Sequence, residues 1–380
     1  MSASHYRRDT MEMCLLLSLA MSLTACQKSP PGDLNDRLRP ILQAYDLPAL
    51  AGAVVTSAGI KVQGVVGVRK YGTATPAAIN DQFHLGSDTK AMTATLLAML
   101  VEQGKLSWTM TLAQCLPELA GTMDPAYRDV TLEQLLAHRA GFTDDSWPNG
   151  ETFLSLHNWQ GSPAEQRWRY AQMILREPPE KSHPGNFLYS NRSYAIAGVI
   201  AERITGTPWE ELIANWIFAP LDMDTCGFGP MGTAGSVDQP WQHVMQGGQH
   251  QAIEPGPLSD NPVVIAPAGL VHCSIGDWAK FIQANLRGEK GETGILKPES
   301  FRKLHTATYG EYGFGWIVTE RSWGGRVLTH AGSNNQNFAV VWMAPVRDFA
   351  VLVATNQGGD KAAEACDKAA SMLISNYGSR

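Results

Sequence analysis

The chain has 380 residues, enough for one large or two ordinary domains, and its 44% hydrophobic and 17% charged residues suit a globular protein with a sizeable core. The net charge of −6, with no Lys/Arg cluster to offset it, argues against a nucleic-acid partner.

Arg7 and Arg8 precede an apolar run from Met13 to Leu23 that is too short to span a bilayer and has the anatomy of a signal peptide. It ends in Leu23-Thr24-Ala25-Cys26, which resembles the lipobox of bacterial lipoproteins, where the cysteine is lipidated and becomes the first residue of the mature chain. Residues 1–26 are therefore read as a lipoprotein signal peptide and Cys26 as the lipidation site; ordinary cleavage nearby, with Cys26 a plain thiol, is the alternative. Gln27, where an aspartate would retain the protein in the inner membrane, implies a periplasmic protein held by lipid at the outer membrane. Residues 27–34, with Pro30-Pro31-Gly32, read as a tether.

Leu34 to Tyr45 has the pattern of a short amphipathic helix. Ala51–Val55 and Ile60–Val68, joined by Ser57-Ala58-Gly59, read as a β-hairpin. The turn Leu85-Gly86-Ser87 then opens a helical pattern from Thr89 to Val101, with apolar residues at Met92, Leu96, Met99 and Leu100 and a stop at Gly104. From Leu112 to about Asn285 helical patterns dominate: a capped start at Thr131–His138, then Ser193–Gly206 and Ile275–Leu286, with Ser146–Gly161 loop-like. After Gly291 strand patterns return at Phe314–Val318, Arg326–Thr329, Phe338–Trp342 and Phe349–Ala354, and a helix from Lys361 to Ile374 closes the chain.

Strands at both ends and helices between predict an α+β fold of the α/β sandwich kind. One antiparallel sheet is built from both chain ends, flanked by helices, with a large, mostly helical insertion. The sheet domain is expected over 35–110 and 291–380, and the helical domain over 111–290. Cys115, Cys226, Cys273 and Cys366 are scattered, with no C-x-x-C spacing for zinc. An oxidising compartment would allow three pairings; the expectation is buried free thiols.

Ser87 and Lys90 are three residues apart, hence on one helical face, with a hydroxyl able to attack and an amine in reach of its proton. The helix start adds backbone N–H groups and the positive end of a dipole. Spacing alone is weak, since Ser300-Phe301-Arg302-Lys303 repeats it and reads as surface helix. Tyr189-Ser190-Asn191 is the only Tyr-x-Asn in the chain and supplies a proton-transfer group and an orienting amide. His330-Ala331-Gly332-Ser333 ends an apolar strand, whose edge can aim N–H groups at an oxyanion. The remaining histidines, His138 and His305 among them, show no ligand spacing and read as structural.

The order and spacing of these three motifs resemble the serine β-lactamase and penicillin-recognising superfamily, closest to its class C-like branch. Thr131 to Gly141, Pro220-Leu221-Asp222-Met223-Asp224-Thr225 and Tyr312-Gly313-Phe314-Gly315-Trp316 fit secondary landmarks of that branch, and the resemblance covers roughly 35 to 375. It implies acyl transfer with no metal and no cofactor. Ser87 would attack a carbonyl after losing its proton to the Lys90/Tyr189 pair. Asn191 would orient the acyl group, and Ser87 and Ser333 N–H groups beside Gly332 would hold the oxyanion. A lysine is usual where His330 stands, and a threonine or serine where Ala331 stands; both changes weaken recognition of a substrate carboxylate. With an ordinary histidine pKa of about 6.5, His330 would gain a proton, and with it any anionic substrate, as pH falls. The expected partner is thus a small-molecule or peptide acyl substrate, an ester or amide. The alternatives are a class C-like β-lactamase or D,D-peptidase acting on cell-wall peptides, and a sensor that is acylated without turnover.

Overall fold

The computed structural model describes residues 33–142, 152–180 and 185–378. Cys26, the signal peptide and the tether as far as Gly32 lie outside the described residues, as do Trp147 and His183.

Helix α1 (Leu34–Ala44) is capped by Asp33, whose carboxylate accepts from Asn35 N–H. β1 (Ala49–Thr56) and β2 (Gly59–Gly67) form the expected hairpin. β3 (Gln82–His84) runs into a tight turn at Gly86–Asp88 and then α2 (Thr89–Glu102). Short helices follow: α3 (Leu112–Cys115), α4 (Pro125–Arg128), α5 (Leu132–Leu136) and α6 (Phe153–His157). Next are α7 (Pro163–Ile174), α8 (Asn191–Thr205) and α9 (Trp209–Ile213). β4 (Gly227–Phe228), β5 (Gln242–Gln246), β6 (Gln249–Ile253), α10 (Ala266–Gly269) and β7 (Val271–Ser274) lead to α11 (Ile275–Glu289) and α12 (Pro298–Leu304). β8 (Ile317–Arg321), β9 (Gly325–Ser333), β10 (Phe338–Ala344), β11 (Phe349–Thr355) and α13 (Asp360–Tyr377) complete the chain.

The main sheet is antiparallel in the order β2-β1-β11-β10-β9-β8, so β1 near the start pairs with β11 near the end. β1 and β11 are covered on both faces. Leu50, Val54, Val351 and Val353 face one cluster with Leu34, Leu38 and the alanines of α13. Ala51, Ala53, Leu352 and Ala354 face the larger core that contains α2 and α8. Each strand thus buries alternate side chains in different layers, which explains its continuous apolar run. Helix α2 is buried from Thr89 to Leu100. Its polar side chains are therefore paired: Thr93 Oγ1 donates to Pro267 O at 2.7 Å and Thr95 Oγ1 to Ala91 O at 2.8 Å.

Four sequence expectations change. The stretch read as loop between Ser146 and Gly161 contains α6, started by a capping box between Thr152 and Ser155. The strand expected from Phe314 begins only at Ile317. Gly315, at φ +83°, lies so close to the start of α2 that a Cβ there would be 2.6 Å from Ala91 Cα, and the turn this requires ends the extended run. The helical stretch also carries strands: β4 and β7 join β3 in a three-stranded sheet, and β5 pairs with β6. That small sheet overturns the free-thiol expectation for Cys226 and Cys273. Gly227 pairs with His272 and Phe228 with Val271, so Cys226 falls opposite Cys273 with 4.1 Å between their Cα atoms, and the two are disulfide-bonded. Cys115 and Cys366 are free and buried.

Candidate active site

The turn that carries Ser87 is held by β7 and β9. Leu85 N–H donates to Val271 O at 2.9 Å, and Val271 N–H donates to Thr89 Oγ1 at 3.1 Å. On the other side the turn touches the end of β9. A Cβ on Gly86, whose φ is +50°, would lie 2.3 Å from Ser333 N; one on Gly332 would lie 1.9 Å from Leu85 O and 2.6 Å from Ser87 N. Only glycines permit this approach, and it sets the backbone nitrogens of Ser87 and Ser333 on the two sides of one contact.

Lys90, one turn into the helix, is fully buried while Ser87 is partly open to solvent. Its Nζ lies 2.9 Å from Ser87 Oγ, 2.8 Å from Asn191 Oδ1 and 2.8 Å from Ala268 O. Three acceptors match the three N–H donors of an ammonium, and the first of them is the hydroxyl whose proton an amine would take. Asn191 reaches the lysine because it is the first residue of α8, just after the N-cap Ser190. Tyr189 precedes that cap, 36% exposed, with its ring centroid 4.8 Å from Lys90 Nζ.

His138 fixes Tyr189 from both sides. Its carbonyl accepts from Leu188 N–H at 2.8 Å, its Nδ1 accepts from Ser190 N–H at 3.2 Å, and its ring centroid is 4.4 Å from that of Tyr189. The left-handed backbone at His138, φ +57°, is what lets one residue make both contacts. Burial, and then the charge of Lys90, hold this imidazole well below its ordinary range, so it is neutral.

His330 is 3% exposed. Its Nε2 accepts from Tyr312 O–H at 3.1 Å, and its Nδ1–H donates to Ala331 O at 3.0 Å. Burial first, and Lys90 second, lower its pKa to about 3. This corrects the expectation of an ordinary histidine that protonates as pH falls towards 6: the ring sits in low dielectric beside an existing cation, and both nitrogens are engaged. Ala331 is exposed at the same strand end, with no hydroxyl to offer. Ser333 Oγ turns back to donate to Asn337 O at 2.7 Å.

Residues 34–372 match the sequence profile of the family described as Beta-lactamase. The chain belongs to the beta-lactamase family. Penicillin-binding protein 4 of Amycolatopsis lactamdurans is 24% identical over 340 residues, covering 85% of this chain and 84% of that protein. The Unguisins hydrolase ungD of Aspergillus violaceofuscus is 25% identical over 272 residues, 68% of this chain; the match spans 45% of the fungal protein, less than half its length. The octameric penicillin-binding protein homologue from Pyrococcus abyssi has a TM-score of 0.72 at 20% identity, covering 90% of this chain and 77% of that one, a likeness of fold. This beta-lactamase-family protein has the mixed α+β fold of the penicillin-binding protein homologues.

Several groups around the beta-lactamase-type centre escaped the sequence reading. His138 lay in a segment noted as a family landmark but read as structural. Ala268 contributes only a backbone carbonyl, which leaves no trace in residue type. Asp88 stands beside Ser87 in the motif itself, yet is 3% exposed with neither carboxylate oxygen partnered among the described residues. Burial pushes its pKa well above the usual carboxylate range, with Lys90 opposing, which favours the neutral acid. Ser300 and Lys303, the decoy pair, sit on α12, where Lys303 instead bridges to Glu133 at 2.8 Å. Among the described residues no group of three or more His, Cys, Asp or Glu side chains is placed to hold a metal ion.

Proposed function

We propose that Ser87 is the nucleophile of an acyl-transfer hydrolase whose substrates are uncharged esters or amides. The observation that carries this reading is Lys90 Nζ, buried, 2.9 Å from Ser87 Oγ and 2.8 Å from Asn191 Oδ1. Ser87 attacks the carbonyl carbon as its proton passes to the Lys90/Tyr189 pair. The N–H groups of Ser87 and Ser333 receive the oxyanion, and Asn191 orients the acyl group. The leaving alcohol or amine takes the proton. Water, deprotonated by the same pair, then releases the acid and restores Ser87.

The preference for neutral substrates follows from the third motif. A charge-assisted hydrogen bond to a carboxylate contributes roughly 1.5–3 kcal/mol, about ten- to a hundredfold in binding. His330 is neutral with both nitrogens engaged, and Ala331 has no hydroxyl, so the position offers an anion neither charge nor O–H. The exposed aromatic faces of Phe187 and Tyr189 suit an apolar acyl or leaving group. A panel of p-nitrophenyl short-chain esters, D-amino-acid amides and a cephalosporin, with Ser87→Ala as control, tests the reading. Neutral substrates should turn over and Ser87→Ala should not. Efficient cephalosporin hydrolysis would show that a carboxylate is held elsewhere; Arg139, whose guanidinium lies 5.9 Å from the Phe187 ring, is the cation to examine. A burst without steady turnover would favour the sensor.

We further propose that the mature protein is lipid-anchored in the periplasm through Cys26, a reading supported by the sequence from Met13 to Cys26. Several acyl chains make such anchoring stable. The protein should fractionate with membranes and Cys26→Ser should release it or block maturation; a soluble periplasmic wild type refutes the anchor.

A further inference from the structure

The oxyanion site has two walls, the Ser87 turn and the Ser333 end of β9, which come from opposite ends of the chain. Each is tied, behind the site, to one carboxylate. Asp260 is 3% exposed and sits in the segment between β6 and α10. Its Oδ2 lies 2.8 Å from Nε2 of His84, which is itself fully buried. Nδ1 of the same ring accepts from Gly86 N–H at 3.1 Å, so the ring proton is on Nε2, facing the carboxylate. The approach is close but off the line of a straight N–H bond, so attraction between carboxylate and ring, more than directional bonding, joins them. On the other side Asp260 Oδ1 accepts from Asn334 Nδ2 at 3.0 Å.

Asn334 is the residue after Ser333 and organises the turn that aims it. Its Oδ1 accepts from Gln336 N–H at 3.2 Å and Asn337 N–H at 3.0 Å, while its Nδ2 also donates to Gln242 Oε1 at 2.6 Å. A chain of contacts therefore runs Gly86–His84–Asp260–Asn334–Ser333, through buried groups that belong to three separate segments. Gly86 and Ser333 are the same residues whose backbones meet at the site itself. Buried polar groups cost stability unless compensated, and Asp260 finds its compensation on both sides: Oδ1 accepts from Asn334 Nδ2 and from Asn261 N–H at 2.7 Å, and Oδ2 lies against the His84 ring.

We propose that Asp260 is a positioning residue for the acyl-transfer reaction: through His84 and Asn334 it holds the Ser87 and Ser333 N–H groups in register to receive the oxyanion. The proposal rests on the acyl-serine reading above. Asp260 touches neither substrate nor nucleophile; it acts by fixing where two donors point. Such donors matter most when negative charge develops on the carbonyl oxygen, so their displacement lowers kcat more than it raises KM.

The test uses the full chain and two Asp260 variants, Asp260→Asn and Asp260→Ala, with active sites counted by a fluorophosphonate. Removal of one oxyanion donor costs about a hundred- to a thousandfold, so a displaced donor is expected to cost roughly ten- to a hundredfold in kcat per titrated site, with KM for a neutral p-nitrophenyl ester within about threefold. His84→Gln, which keeps an N–H towards Asp260, should recover most of the rate that His84→Leu loses. A merely structural role would reduce the fraction of titratable sites and leave kcat per site unchanged; that result in both Asp260 variants overturns the proposal. If wild type is not labelled at Ser87, the acyl-serine reading itself falls. The clamp is then decided by hydrogen exchange: faster exchange of the 331–337 backbone in Asp260→Ala supports it, and unchanged protection overturns it.

Discussion

Replacing Asp88 by Asn should stabilise the protein increasingly as pH rises. The Asp88 carboxyl is enclosed between the nucleophile and Lys90, with both oxygens buried and unpartnered among the described residues. Burial raises its pKa well above the ordinary 3.8, and Lys90 only partly offsets this. The folded protein therefore keeps a proton that the unfolded chain has lost. For a group raised on folding, stability is fully present below the unfolded value and is lost as pH climbs towards the folded one. The loss is about 1.4 kcal/mol for each pH unit in that window. Asparagine has nearly the same shape and does not titrate. Urea unfolding of wild type and Asp88→Asn at pH 5 and pH 6 isolates the effect, because every other titrating group, Lys90 and Tyr312 beside Asp88 included, is common to both. The stability difference should shift in favour of the variant as pH rises over that unit, by up to about 1.4 kcal/mol. Parallel curves would mean that Asp88 ionises in the fold as it does in water, through solvent access or a stronger pairing with Lys90 than the geometry gives.

Gly332→Ala would place a methyl 1.9 Å from Leu85 O and 2.6 Å from Ser87 N, so the two walls must part; kcat should fall on the order of a hundredfold or more, and an unimpaired variant would show that these N–H groups do not bind the oxyanion. His330, lowered to about 3 by burial and Lys90, stays neutral from pH 5 to 8. The ratio of KM values for an anionic cephalosporin and a neutral ester should therefore be flat across that range, and a tenfold gain for the anion on acidification to pH 6 would refute the burial argument. Joint replacement of Cys226 and Cys273 by Ser removes a link closing 47 residues and should lower stability by about 2–4 kcal/mol in urea; no change would mean that the unfolded chain gains little freedom from its loss.

What the sequence determined by itself is what lies within a turn or a strand. Ser87 and Lys90 meet because three residues on a helix return to the same face, and no distant contact is needed for that. The continuous apolar runs at both chain ends announced strands, and the helical periodicity from Thr89 onward announced α2. Asn191 was legible as chemistry in its Tyr-x-Asn setting, and the capping preference of Ser190 explains why it stands at the first turn of α8.

The tertiary structure decided the rest, for reasons that composition cannot carry. β1 pairs with β11 and Cys226 lies opposite Cys273 because of strand register, a relation between segments far apart in the chain. The third partner of Lys90 is the carbonyl of Ala268, and every residue type has a carbonyl. Asp260 looks like any loop aspartate until folding places it between His84 and Asn334. His330 and Asp88 carry ordinary side chains whose protonation is set by the water they lose. Desolvation is a property of the whole surrounding shell, and that shell exists only once the segments have come together.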